Sequence, residues 1–115
     1  MGASEHRRDG RTPIDILLNK YIDGEPHLCR AVNLSRGGLL LYKIFEPDAP
    51  PGEVSLEFQL PGSPRVLRVD GVILAEHLSS RANGVRFVRM ADEDRDLIDS
   101  YLRGELLPER QSIDS

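Results

Sequence analysis

The sequence contains no tryptophan and few aromatic residues of any kind, only three phenylalanines and three tyrosines in 115 residues. A barrel that grips single-stranded nucleic acid needs a basic face set with stacking rings. With 5% aromatics and a net charge of −4, this chain is poorly equipped for that task or for a charge-driven hold on long DNA or RNA. Its one cysteine, Cys29, excludes an internal disulfide and fits a reducing compartment. Set in an apolar run, that thiol reads as buried and inert. No apolar stretch approaches the roughly 20 residues that span a bilayer, so membrane insertion is not expected. The opening MGASEHRRDGR lacks the apolar segment of a signal peptide. His6 stands where a myristoylation site needs serine or threonine. The expected location is cytoplasmic.

Catalytic signatures are missing as well. His6, His27 and His77 lie far apart, and none has a second metal ligand three or four residues away. Neither a Gly-x-Ser-x-Gly nucleophile elbow nor a Gly-x-x-x-x-Gly-Lys phosphate loop occurs. The 19 acidic residues are scattered or gathered near one helix start, as on a solvated surface. The chain is therefore expected not to be an enzyme, and to hold neither metal nor cofactor.

What is present is one domain's worth of short strands. Hydrophobic residues at 39% and charged residues at 30% suit a folded soluble chain rather than a disordered one. Residues 1–12 are polar and aperiodic and read as a flexible arm. From Pro13, the spacing of Ile14, Ile16 and Leu18 puts them on one face of a strand. Asp23-Gly24 signals a tight hairpin, with a return strand over about His27 to Asn33. Leu39 to Tyr42 is a third strand, and Pro47, Pro50, Pro51 and Gly52 mark a loop. Val54, Leu56, Phe58 and Leu60 alternate with polar residues in the clearest strand of the chain. Arg65 to Glu76 follows as a long strand whose interior Gly71 predicts a bulge or a close approach. Gly84 to Val88 is the last strand. A helix follows, with Asp92 as expected N-cap, Glu93 and Asp94 in its first turn, and Leu97, Ile98, Tyr101 and Leu102 on its apolar face. Gly104 is placed to end it. The expected organisation is an arm over 1–12, an all-β barrel or sandwich with one C-terminal helix over 13–104, and a disordered tail over 105–115.

Two short motifs stand out against this plain background. Arg7 and Arg11 form Arg-x-x-x-Arg at the junction between arm and first strand, with Arg8 between them. Asn33, Ser35 and Gly38 form Asn-x-Ser-x-x-Gly in a predicted turn after the second strand. Asparagine and serine hold such turns by bonding the local backbone, and glycine admits unusual backbone angles. Taken singly, the first is a solubilising cluster and the second a strand connection. In this order and spacing, with Gly84-Val85-Arg86-Phe87-Val88 ahead of the final helix, they resemble the paired motif of PilZ domains over roughly Glu5 to Leu102.

The resemblance implies a six-stranded antiparallel barrel capped by a helix, and a bound cyclic di-GMP. Arginine suits that ligand, because its planar fork matches both phosphate oxygens and the O6/N7 edge of guanine. On the family's pattern Arg7 and Arg11 are the principal contacts, with Arg8 a third candidate. Asn33 and Ser35 would bond a guanine edge or a phosphate, and Gly38 would keep the backbone close to the ligand. Arg36 and Gly37, at variable positions inside the motif, are additional candidates. Ligand binding would fold the arm over the barrel and change the surface read by a separate downstream protein, in motility or biofilm control for example. Three departures from the family pattern matter. His6 precedes the first motif arginine at a position that influences whether one ligand or two are bound. Asn33 replaces the commoner aspartate, and Asp9 lies between the arginines. The alternative that keeps the fold is a PilZ adaptor, in pilus assembly for instance, that binds no nucleotide.

Overall fold

A computed structural model describes residues 11–44, 52–74 and 82–106. The first strand, β1 (Thr12–Ile22), alternates as its side chains require, with Ile14, Leu18 and Lys20 buried and Pro13, Asp15 and Leu17 exposed. It starts one residue inside the stretch that reads as an arm. Asp23 and Gly24 then both take positive φ, 52° and 83°, and Ile22 pairs with Glu25. That is the two-residue turn whose twist matches the flanking strands. β2 (Glu25–Leu34) returns along β1, and after three residues β3 (Gly38–Lys43) turns back along β2. β4 (Glu53–Phe58), β5 (Leu67–Ile73) and β6 (Ala82–Met90) follow.

Every strand pairs antiparallel, and the ring closes in the order β1-β2-β3-β6-β5-β4. Closure depends on bending. Bulges between Pro13 and Ile16, Ala31 and Asn33, and Asp70 and Gly71 break the ladders and sharpen the strand twist. At Gly71 both expectations from the sequence hold. A Cβ there would lie 2.6 Å from Val85 Cγ1 and 2.9 Å from the Arg86 carbonyl oxygen.

The interior is filled from all six strands by residues such as Leu18, Ala31, Leu41, Leu56, Val69 and Val85. Cys29 is fully buried among them. Lys20 is also wholly buried, and its Nζ donates to Asn83 Oδ1 at 3.1 Å.

The single described helix, α1 (Asp92–Leu102), seals the barrel with Ile98, while Leu97, Tyr101 and Leu102 pack around it. The N-cap expected at Asp92 is instead Ala91, which carries no capping side chain. β6 ends at Met90, so the chain passes from strand to helix with a single residue between, and Asp92 is already helical. The acidic first turn complements the positive end of the helix dipole in place of a cap. Asp94 turns inward, where it accepts from Arg65 Nε at 2.7 Å and from the Arg68 backbone N–H at 3.4 Å. At the other end Gly104 takes φ of 76° and donates to the Tyr101 carbonyl, while Glu105 N–H reaches Ser100, both at 2.9 Å. These two bonds satisfy carbonyls the helix leaves open, and Leu106 packs back onto the core.

Candidate functional site

The turn between β2 and β3 is held by its own residues. Ser35 donates to the Gly38 carbonyl twice, from the backbone N–H at 2.8 Å and from Oγ at 3.2 Å. Gly37 accepts from Phe87 N–H at 2.7 Å, which pins the turn to β6. Gly38 pairs with Arg86 across the β3–β6 ladder, and a Cβ on it would collide with the Val85 carbonyl oxygen. The motif glycine is thus required by the sheet itself: only a residue without a side chain lets β3 approach β6 this closely. Gly37 next to it has open space around its Cα.

This turn forms one wall of a cavity of about 170 Å³ on the outside of the barrel. Arg11, directly ahead of β1, and Asn33, near the end of β2, join Ser35, Gly37 and Gly38 in lining it. They meet because Thr12 pairs with Leu34 and Pro13 with Asn33, which brings the start of β1 to the end of β2. The far side is built by β3, β6 and the residue that follows β5, through Leu40, Gly84, Arg86 and Leu74. None of these four was singled out as a site residue from the sequence, although Gly84 and Arg86 belong to the strand that carried the family resemblance. Among the described residues no acidic side chain lines the cavity. Arg11 and Arg86 are the two full charges that the described residues bring to it, so this lining is locally positive on a chain of net charge −4.

Arg36 lies elsewhere. Its guanidinium forks onto Asp99 of α1, Nε at 2.7 Å and NH2 at 3.3 Å, and it does not line the cavity. The contact ties the motif turn to the helix. Arg7 and Arg8 fall outside the described residues.

A larger cleft, about 440 Å³, opens beside the β1–β2 turn between Tyr21, Glu53, Ser55, Arg68 and Asp70. Two of its charges, Arg68 and Asp70, are already engaged. Arg68 pairs with Glu57 at 2.8 Å, and Asp70 accepts from Ser55 at 2.8 Å and from Arg89 at 2.9 Å. The Glu57 carboxylate also accepts from the Tyr21 hydroxyl at 3.1 Å and pushes that phenol above its usual range. Among the described residues no group of histidine, cysteine and acidic side chains could hold a metal ion. No helix among them is long and apolar enough to cross a membrane.

A family model described as the PilZ domain matches residues 5–104. None of the curated proteins matches the chain in sequence. Among solved structures, the Bacillus subtilis inhibitor of motility (MotI/DgrA) is similar with a TM-score of 0.68 at 16% identity, over 91% of this chain and 50% of that one. The chain therefore spans about half the length of the Bacillus protein. An uncharacterized Legionella protein is similar with a TM-score of 0.53 at 15% identity, over 83% of this chain and 95% of that one. At such identities the likeness is one of fold.

Proposed function

This chain belongs to the PilZ domain family, and from that premise we propose that it is a cytoplasmic receptor for cyclic di-GMP that signals to a separate protein. One observation carries the reading. Arg11, Asn33, Ser35 and Gly38, drawn from two motifs more than 20 residues apart, line a single cavity to which no described residue brings a carboxylate.

In this reading Arg11 forks onto a phosphate or a guanine edge, and Asn33 and Ser35 supply shorter-range hydrogen bonds. A hollow of about 170 Å³ is smaller than the roughly 300 Å³ at which enclosed ligand sites begin. A cyclic dinucleotide would stand proud of it. The chain ahead of Arg11, with Arg7 and Arg8, is attached at the rim and supplies the remaining contacts when it folds over the ligand. The covered surface differs from the bare one, and that difference is the signal. The name of the Bacillus protein makes motility one output worth testing for this chain.

The energetics are adequate. Charge-assisted hydrogen bonds contribute about 1.5–3 kcal/mol each. Four or five of them, less the cost of association and of ordering the arm, leave the ~8 kcal/mol of a micromolar complex.

Calorimetry with cyclic di-GMP, cyclic di-AMP, GTP and a short oligonucleotide tests the proposal on the wild type and on Arg11→Ala. The expected result is selective binding of cyclic di-GMP, weakened about tenfold or more in the variant. Amide exchange over residues 1–12 should slow at saturation. Silence with every nucleotide would leave the adaptor that binds none.

A further inference from the structure

Six of the nine arginines among the described residues are paired with a carboxylate. Arg11, Arg86 and Arg95 are not, and two of those three line the same cavity. Arg11 belongs to a motif. Arg86 does not, and an exposed charge beside a pocket with no counter-ion among the described residues calls for a reason.

Its surroundings supply one. Arg86 stands opposite Gly38 in the β3–β6 ladder, so no side chain on the β3 side screens it. Two residues back on the same face of β6 is Gly84. Leu40 pairs with Gly84 from one side, and Leu74 N–H donates to the Gly84 carbonyl from the other at 2.9 Å. Leu40 and Leu74 are half-buried, and the glycine between them adds no bulk. The result is an apolar strip, low in the middle, with a guanidinium at one end. Asn33, the β2 partner of Leu40, stands beyond the strip. A flat ring fits this arrangement, with its face on the strip and its edge toward Arg86.

We infer that Arg86 is the residue by which this site selects guanine, its fork donating to O6 and N7 of a base lying across Leu40, Gly84 and Leu74. The inference rests on the cyclic di-GMP reading of the cavity. Guanine presents two acceptors on that edge. Adenine presents N7 beside an amino donor, which an arginine fork opposes. The discrimination attached to one such bidentate pair is about 5- to 150-fold.

The test is a pair of titrations, cyclic di-GMP against cyclic di-AMP, on the wild type, Arg86→Gln and Arg86→Lys. Glutamine matches the adenine edge, and lysine keeps the charge without the fork. Both variants should melt at the wild-type temperature, since Arg86 has no hydrogen-bond or ion-pair partner to lose among the described residues. Both should lose about 5- to 150-fold in the preference for guanine over adenine. A preference that survives in Arg86→Gln, or equal losses for the two nucleotides, overturns the inference and leaves the receptor reading intact. A wild type that ignores cyclic di-GMP removes both.

Discussion

Replacing Gly38 with alanine should damage the barrel before it damages any binding. The added Cβ would press into the Val85 carbonyl oxygen and lie 3.1 Å from Val85 C and 3.2 Å from Arg86 Cα. All three are backbone atoms, so no side chain can rotate out of the way. β3 and β6 must part around the Gly38–Arg86 pair, which also strains the 2.7 Å bond from Phe87 N–H to the Gly37 carbonyl. Overpacking of this kind costs about 1–3 kcal/mol, and each ladder bond lost adds about 1 kcal/mol. A total near 3 kcal/mol is a large part of the roughly 5–15 kcal/mol that holds a domain together. It corresponds to a fall of about 10–15 °C in Tm at this size. Urea unfolding followed by circular dichroism measures it, with Gly37→Ala as the internal control. Gly37 has nothing within 4 Å of its Cβ position and no positive φ, so its variant should stay within about 0.5 kcal/mol of wild type. Equal stability of the two variants would refute the argument. The result bears on binding experiments too. A motif glycine variant that fails to bind cyclic di-GMP says nothing of ligand contact until it is shown to be folded.

Two further predictions concern the frame around the site. Asp94→Ala removes the buried carboxylate that meets Arg65 and the Arg68 backbone N–H at the start of α1. It should cost about 1–2 kcal/mol from the helix-end charge and the backbone bond, read as a shifted urea midpoint with an unchanged slope. The Tyr21 phenol is raised above its usual value, first by its hydrogen bond to Glu57, then by burial and by the negative charge of Glu57. A raised pKa means that the fold favours the protonated phenol. That stabilisation is complete below the ordinary tyrosine value and is lost as pH rises through the raised one. In an alkaline absorbance titration the Tyr21 component, isolated by difference from Tyr21→Phe, should move to lower pH in Glu57→Gln. An unmoved transition would dismiss Glu57 as the cause.

The elements legible in the sequence are those built from local chemistry. Asp23-Gly24 announces its turn because few other pairs accept two positive φ values in succession. Val54, Leu56 and Phe58 read as one inward face because a strand alternates, and the structure buries all three. Gly71 and Gly104 each sit where a side chain is excluded or a helix must stop. What escaped is set by distance along the chain. The β1–β4 pairing that closes the ring joins Asn19 to Glu57 and Tyr21 to Ser55, and neither stretch carries any mark of the other. Strand ends were blurred for the same reason. β6 runs from Ala82 to Met90, beyond the apolar run at 84–88, because its neighbours extend it. The position of Lys20 follows from the alternation of β1, yet its charge argues for the outside, and its bond to Asn83 settles the conflict. Within the site, the two motifs were visible as motifs. Leu40, Leu74 and Arg86 gain meaning only when β3, β5 and β6 lie side by side.

Closure of the ring has one more consequence. An open sheet offers its last strand to any extended peptide, and many recognition domains recruit partners by adding a strand there. Here β1 and β4 have found each other over Asn19–Tyr21 and Ser55–Glu57, so along that seam the main chain has no rung to lend. Any protein that reads this seam would recognise it by shape and side chains. Whatever moves those side chains thereby controls the conversation.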